Sequence, residues 1–264
     1  MVKKLVLFDK IYNISSQKNK EDVFVRYLKY LKEHIKNFSN TNVKIKKLRD
    51  FDKRFEIFID GPEEIFVFNL LKKEIGYINE FKDIEVGKVY KGTMIDVGKV
   101  GFGIFVDCAI LNPKTDVLLT LRSLKYQLAN AKDFKNVSLK DIIKTYDFID
   151  HFPVYVKIVE FFKDKNKIQG ELDEKSIKVF KKIINENIEG IFASGATKNQ
   201  FKKALIRNGH FRDIITIKRF GFLENIVLLK EGTNAPGIIA HIGKNLRNCK
   251  LSAIRSKRIK KLLV

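Results

Sequence analysis

The sequence has only two cysteines, Cys108 and Cys249, and they lie far apart in the chain. Neither belongs to a CxxC pair, so the sequence has no zinc-ribbon spacing and no disulfide framework. No apolar run comes near the roughly 18 residues that a membrane helix needs. Asp9 ends the first apolar segment too early for a signal peptide. We therefore expect a cytoplasmic protein with reduced thiols and no membrane partner.

The common signatures of catalysis are also missing. The sequence has no P-loop, no GxGxxG segment after a strand, no GxSxG elbow and no HExxH pair. Its four histidines are scattered and lack metal-ligand spacing. Asp147 and Asp150, beside His151, come nearest to the paired carboxylates that hold a catalytic metal, and we interpret them as helix-end residues. We predict no catalytic residue, no bound metal and no cofactor.

Acidic residues are scarce in the last third of the chain. The whole sequence carries a formal charge of +21, from 52 Lys and Arg against 31 Asp and Glu. Residues 173–264 hold 20 of the basic and 7 of the acidic residues, so +13 of the excess lies there. A Lys-rich surface of the thermophile type would carry matching Glu. The imbalance favours a polyanionic partner, because Lys and Arg contacts to phosphates supply most sequence-independent nucleic-acid affinity.

The composition is that of a globular protein, with 45 % hydrophobic and 31 % charged residues. A length of 264 residues suggests two or three small domains. Residues 1–83 alternate strand and helix patterns in an order that predicts a ferredoxin-like α+β unit. Three phenylalanines of its predicted strands, Phe8, Phe55 and Phe58, are interpreted as core residues.

Residues 84–172 have the pattern of five short strands. The second strand contains Gly101-Phe102-Gly103-Ile104-Phe105-Val106-Asp107. Two later strands lie within Asp116–Leu124 and Val154–Val159. Phe102 and Phe105 would face opposite sides of a regular strand. A bulge at Gly103 would bring both rings to one face.

These five strands, with the Phe-Gly-x-Phe-Val-Asp and Val-x-Val-Lys-Ile segments, resemble the S1 domain, an RNA-binding OB barrel. The resemblance implies that bases stack on at least one of the two phenylalanines, and the alternative is that both rings belong to the barrel core. It also has departures: Thr120 and Arg122 stand where S1 domains usually have His and Ser, and a helical insertion at about 125–149 lengthens one connection. In the barrel, the candidate RNA-binding residues are Phe102, Phe105, Thr120, Arg122, Lys157, Lys165 and Lys167.

Residues 173–264 are predicted to form a second, basic α+β unit with an element order like the first. A predicted helix, Thr197–Arg207, presents a basic face that continues to Arg212. Within Lys230–Gly237, Thr233 or Asn234 precedes a helix with Pro236 in its first turn, which makes an anion site at the helix start, or alternatively an ordinary cap. The candidate phosphate-binding residues are Lys198, Lys202, Lys203, Arg207, Arg212, Lys230, Thr233 and Asn234.

Over nearly its whole length, the chain resembles a family of uncharacterised archaeal proteins with a central S1-like domain. The predicted fold class is therefore α+β multidomain, with domains at 1–83, 84–172 and 173–264. We predict a non-enzymatic protein that binds ribosomal, transfer or messenger RNA in translation, ribosome function or RNA processing. Two alternatives stay open: an adaptor subunit of a ribosome, exosome or RNA polymerase complex, and an RNA-processing enzyme whose site is not visible in the sequence.

Overall fold

The computed structural model describes residues 2–12, 17–129, 136–246 and 248–263. The chain divides into two compact units, residues 1–78 and 79–264. The second unit contains both of the last two predicted domains, and the predicted boundaries after residues 83 and 172 stay a prediction. None of the helices in the described ranges is long and apolar enough to cross a membrane.

The first unit is a three-stranded antiparallel sheet with two helices. Its elements are β1 (Lys3–Lys10), α1 (Gln17–His34), β2 (Asn42–Leu48), β3 (Arg54–Asp60) and α2 (Glu64–Glu74). The strands pair in the order β1-β3-β2. After α2, the chain returns to β1 through a single antiparallel bridge between Leu7 and Tyr77. The predicted mixed α+β unit is confirmed, whereas the ferredoxin-like layout stays a prediction.

Aromatic side chains hold α1 on this sheet. The ring of Tyr27 stacks on Phe55 with ring centres 4.2 Å apart, and Phe24 meets the same ring edge-on at 5.0 Å. Phe8 and Phe55 are buried, as predicted, and Phe58 is half-buried beneath the ammonium of Lys46. Such ring pairs add to the stability that their buried area supplies.

The second unit begins with a closed five-stranded barrel. Its strands are β5 (Val89–Ile95), β6 (Gly103–Leu111), β7 (Thr115–Thr120), β8 (Pro153–Phe162) and β9 (Lys167–Leu172), preceded by the short β4 (Asn79–Glu80). Pairing runs β5-β6-β7-β9-β8 and returns to β5, while β4 joins the edge of β6. Strands β7 and β9 are parallel, and the other barrel neighbours are antiparallel.

Burial alternates with period two along β7 and β9, as expected for strands with one face toward a barrel core. Along β7, Val117 and Leu119 are fully buried while Asp116 and Leu118 are partly exposed. Close backbone packing is needed at Gly103, where a Cβ atom would lie 2.3 Å from the Leu119 carbonyl oxygen. Glycine is therefore required there by space and not by its freedom of φ.

The predicted bulge at Gly103 is wrong. The β6–β7 register runs without interruption from Gly103 opposite Thr120 to Val106 opposite Val117. The irregularity lies between Val106 and Ile110, where Ala109 has a φ of 57° and its N–H donates to the Asp107 carboxylate at 2.9 Å. The short side chain of Asp107 stabilises that turn of the backbone, whereas Gly103 serves the close contact with β7.

Two helices, α3 (Leu121–Leu128) and α4 (Leu139–Tyr146), lie between β7 and β8. Thr120 ends β7 and caps α3, since its hydroxyl accepts the Ser123 N–H at 3.2 Å. The insertion predicted at about 125–149 thus begins earlier, at Leu121. Its residues 130–135 lie outside the described residues.

The rest of the second unit is a four-stranded antiparallel sheet with helices on both faces. Its elements in chain order are α5 (Glu174–Asn185), β10 (Glu189–Ser194), α6 (Lys198–Arg207), β11 (Ile214–Arg219), β12 (Glu224–Leu229), α7 (Ala235–Ile242), β13 (Lys250–Arg255) and α8 (Ser256–Leu263). The strands pair in the order β11-β12-β10-β13. The predicted basic α+β unit is confirmed as a mixed set of helices and strands.

The two faces of this sheet pack against different partners. Ile191 and Val227 share a core with α6 and α7, whereas Phe192 and Ile226 point the other way and share a core with α5, α8 and the barrel. The ring of Phe152, just before β8, lies 4.7 Å from the ring of Phe192 on β10. The barrel and the C-terminal sheet therefore have one continuous core.

We expect Gly103→Ala to lower the free energy of unfolding by about 1–3 kcal/mol, because the new methyl group collides with the backbone of β7. Gly101→Ala is the matched control, since a Cβ at that position meets nothing within 4 Å, and we expect it to change stability by less than about 0.5 kcal/mol. Urea denaturation of both variants is the measurement. Equal effects of the two substitutions would contradict the close contact at Gly103.

Candidate nucleic-acid interface

The two phenylalanines of the predicted stacking site lie together on the outside of the barrel. Phe102 directly precedes β6, and 56 % of its surface is exposed. Phe105 is half-buried, and the two rings meet edge-on with centres 6.1 Å apart. They approach each other without a bulge because Phe102 stands before the first strand residue. Its carbonyl still accepts the Leu121 N–H at 2.8 Å, which ties it to the start of α3.

Thr120 and Arg122 belong to the same end of the barrel. Thr120 pairs with Gly103 across the two strands, and its hydroxyl is engaged in capping α3. Arg122 is exposed one turn before Tyr126, whose ring centre lies 5.9 Å from the guanidinium carbon. Tyr126 is 66 % exposed. Tyr126 is not among the residues predicted from the sequence, although its spacing of four from Arg122 would place the two side chains together on a helix.

The three predicted lysines of the barrel lie elsewhere. Lys165 and Lys167 are exposed at the β8–β9 turn. Gly170, three residues after Lys167, already pairs with Leu119 of β7. Lys167 is therefore displaced by roughly 10 Å along the strands from Leu119, which pairs with Ile104, and Phe102 lies further still in the other direction. Lys157 is exposed on β8 and lies 3.7 Å from the Glu171 carboxylate. The structure does not bring these lysines to the phenylalanines.

The predicted basic helix is α6. Lys202, Lys203 and Arg207 are exposed, and Lys198 is partly exposed. Phe201, Ala204 and Leu205 are buried against the sheet, which turns the basic side chains outward. A capping box between Thr197 and Gln200 begins the helix. Arg212 is exposed in the turn of 3₁₀ helix that follows α6.

The start of α7, predicted as an anion site, has its own protein partners. Asn234 caps the helix by accepting the Gly237 N–H at 3.2 Å. The Glu189 carboxylate accepts the Ala235 N–H at 2.8 Å. A carboxylate of the chain thus lies where a phosphate was predicted, which favours the alternative of an ordinary capped helix. Thr233 and Lys230 lie in the preceding turn, where the Thr233 N–H donates to the Lys230 carbonyl.

Asp147 and Asp150 join the barrel to the C-terminal sheet. Asp147 ends α4 in the left-handed conformation, as the helix-end interpretation predicts. Its carboxylate accepts the Ala253 N–H of β13 at 2.6 Å, and its carbonyl accepts the Ser252 hydroxyl. Asp150 accepts the Lys250 ammonium at 2.7 Å. These contacts span about a hundred residues of sequence, and no local pattern in the sequence predicts them.

The second oxygen of Asp150 anchors the loop that leads to Phe102. It accepts the Val97 N–H at 2.9 Å. Burial acts to raise the pKa of the Asp150 carboxyl, but the hydrogen bonds from Lys250 and Val97 outweigh it, so the pKa lies below its ordinary value of 3.8. One carboxylate thus connects β13 to the β5–β6 loop.

The carboxylates do not form a metal centre. Among the residues that the structure describes, no three His, Cys, Asp or Glu side chains are grouped so that they could hold a metal ion. The side chains of Asp147 and Asp150 bind backbone N–H groups and an ammonium instead. Their observed chemistry is structural.

We expect Asp150→Asn to lower the free energy of unfolding by about 1 kcal/mol at neutral pH, because a neutral amide loses the ion pair with Lys250. Because the folded-state pKa is lowered, the contribution of the carboxylate is fully present above its ordinary value of 3.8. It is lost as the pH falls through the lowered value, so wild type and variant converge there.

Urea denaturation at about pH 7 and about pH 3 measures this difference. Asp164→Asn, in the exposed turn before β9, is the matched control, and we expect it to leave stability unchanged at both pH values. A deficit of Asp150→Asn that persists in full at the lower pH would contradict the assignment.

Two models of protein-family domains match parts of the chain. Residues 84–184 match the model of the DUF2110 central domain, and residues 189–254 match that of the DUF2110 C-terminal domain. No curated protein matches the chain.

Three solved structures resemble parts of the fold. An uncharacterized protein of Methanocaldococcus jannaschii is 20 % identical over 34 % of this chain and 92 % of its own, with a TM-score of 0.23. A chain of the a/eIF2alpha–aDim2p–rRNA complex of Pyrococcus horikoshii is 14 % identical over 48 % of this chain and 64 % of its own, with a TM-score of 0.26. The intact alpha subunit of aIF2 of Pyrococcus abyssi is 10 % identical over 66 % and 98 %, with a TM-score of 0.24.

Likenesses this weak do not define the function of the chain. The family matches are more informative, because both are to domains of one family. They also follow each other in the order that the domain names require. Residues 84–184 and 189–254 are therefore similar, in that order, to the central and C-terminal domains of the DUF2110 family.

Proposed function

We propose that this protein is a non-enzymatic RNA-binding protein that acts in translation, ribosome function or RNA processing. The observation that carries the proposal is Phe102, a large aromatic ring that is 56 % exposed beside Phe105 on a closed barrel. Single-stranded RNA is held on such barrels by bases that stack on aromatic side chains. Tyr126 and Arg122 extend the same chemistry to the start of α3.

The strand pairing supports an S1-like OB identity for the barrel. The OB fold is a five-stranded Greek-key barrel whose second and third strands face the oligonucleotide. Here the second and third barrel strands are β6 and β7, which bring Phe105 opposite Leu118. Closure through the parallel pair of the third and fifth strands is also compatible with that fold.

In this proposal the phosphate contacts come from the part of the second unit that follows the barrel, from α5 to α8. Its order β10-α6-β11-β12-α7-β13 is the one used by ferredoxin-like sheets. In RRM domains of that layout, RNA binds on the open sheet face. In this protein the corresponding sheet face is the one opposite α6 and α7. It carries Phe192 and packs against the barrel. We therefore assign the RNA backbone to the exposed cations of α6.

We expect Phe102→Ala to weaken single-stranded RNA binding by about 1–3 kcal/mol through the loss of one stacked base. The slope of log K against log salt stays unchanged, because no charge is removed. Phe66→Ala is the matched control, since this ring on α2 is 70 % exposed. Fluorescence anisotropy with labelled RNA is the measurement. Equal affinity of Phe102→Ala and the control would contradict stacking at Phe102.

We expect wild-type affinity for single-stranded RNA to fall as salt rises, and the combined replacement of Lys202, Lys203 and Arg207 by Gln to flatten this dependence. Each lost phosphate contact on a single strand reduces the slope of log K against log salt by about 0.7, so three contacts reduce it by about 2. A salt series measured by filter binding gives the slopes.

A charge-matched control replaces Lys29, Lys32 and Lys36, which are exposed at and after the end of α1. We expect the control to keep the wild-type slope. Wild-type affinity that is independent of salt, or absent at low salt, would refute RNA binding as proposed. A normal slope in the α6 variant would refute the α6 assignment alone.

A further inference from the structure

Two histidines and an aspartate form a chain of hydrogen bonds between α6 and α7. His210 lies in the turn after α6, and its Nδ1 is 2.9 Å from the Asp213 carboxylate. Its Nε2 is 2.9 Å from Nδ1 of His241 at the end of α7. The two rings are within 15° of parallel, with centres 5.1 Å apart. Each ring nitrogen lies at a fixed distance from the centre of its ring. With the centres 5.1 Å apart, the two nitrogens could hardly come closer than 2.9 Å, so both lie near the line that joins the centres.

One proton lies in the hydrogen bond between Nε2 of His210 and Nδ1 of His241. A carboxylate only accepts, so Nδ1 of His210 carries a proton that it donates to Asp213. In neutral His210, Nε2 is therefore an acceptor, and the proton of the shared bond belongs to Nδ1 of His241. His241 is then left with an unprotonated Nε2. His210 is largely buried, with 14 % of its side chain exposed, whereas His241 is exposed.

The next proton has one position that leaves these bonds intact. A proton on Nε2 of His241 leaves both hydrogen bonds intact, and the positive charge belongs to whichever ring then holds the shared proton. In the described part of the chain, no hydrogen-bond partner of this Nε2 is present. The exposed Nε2 thereby changes from an acceptor to a donor.

The elements that carry the pair, and those next to them in sequence, are rich in basic residues. Between residues 195 and 249 the sequence has ten Lys and Arg against three Asp and Glu. Of the three acidic residues, Asp213 binds His210, Glu224 is buried and Glu231 accepts from Asn187. The charged residues on the elements around the pair are Lys198, Lys202, Lys203 and Arg207 of α6, Arg212 and Asp213 of the turn, Lys218 and Arg219 of β11, Lys230 after β12, and Lys244 after α7.

On a face rich in basic residues, uptake of the proton is linked to the binding of a polyanion. RNA phosphates bound on this face favour a further positive charge on the histidine pair. The protonated Nε2 then supplies an additional charge-assisted hydrogen bond to a phosphate oxygen. RNA and the proton therefore each favour the binding of the other.

We propose that the α6–α7 face is a proton-linked contact for the phosphate backbone of RNA, with Nε2 of His241 as the group that takes up the proton. This proposal rests on the proposed function and adds to it a residue and a dependence on pH. The partner is defined by its chemistry, a chain of phosphates, and not by base sequence.

The test is RNA affinity at constant salt from about pH 8 to about pH 6, the range in which imidazoles titrate. We expect wild-type affinity to rise about three- to tenfold over this range, since one linked proton allows at most tenfold per pH unit. His241→Gln keeps an amide N–H that can donate to His210 but cannot take up the proton. We expect its affinity to be nearly independent of pH and close to wild type at the higher pH.

His34→Gln, in the first unit, is the matched control and should keep the wild-type pH response. Calorimetry in two buffers of different ionisation enthalpy gives a second readout. We expect uptake of up to one proton on RNA binding by the wild type and none by His241→Gln. An equal pH response in the two proteins, or no uptake by the wild type, would overturn the proton link. Failure of the wild type to bind RNA at any pH would refute the proposed function itself.

Discussion

The contact between the barrel and the C-terminal sheet is the interaction on which the second unit depends. Phe152 of the barrel packs on Phe192 of the sheet and on Phe180 of α5. Asp147 and Asp150 secure the same junction by polar contacts to β13. Burial of large aromatic surface supplies most of the favourable free energy of such a contact, and the directional hydrogen bonds determine its register. The two elements are therefore one body with one core.

This shared core decides which surfaces can meet a ligand. The sheet face that carries Phe192 is occupied by the barrel, and α6 and α7 cover the opposite face. Phe102 on the outside of the barrel and the cations on the outer side of α6 stay exposed. In the proposed function, bases stack on the first surface and the RNA backbone binds to the second.

Several of the acidic side chains in the second unit are bound to other groups of the protein. Asp147 and Glu189 accept backbone N–H groups, Asp150 accepts Lys250, and Asp213 accepts His210. Among the residues that the structure describes, no carboxylate forms an ion pair with Lys202, Lys203 or Arg207 of α6. The few acidic residues of this part of the sequence therefore leave the outer side of α6 electropositive.

The sequence by itself determined what depends on local periodicity and composition. Runs of β-branched and aromatic residues separated by turns predicted the barrel strands, and the pattern of Thr197–Arg207 predicted α6 with its basic face. The small number of acidic residues located the excess positive charge in the last third of the chain. Tertiary structure alone decided what depends on residues far apart: the closure of β7 on β9, the Asp150–Lys250 pair and the His210–His241 bond. It also placed the irregularity of β6 between Val106 and Ile110, and it showed that Gly103 is needed because the space beside Leu119 leaves no room for a side chain. Sequence spacing carries no information on such contacts, since the distance between two side chains is set by how whole elements pack.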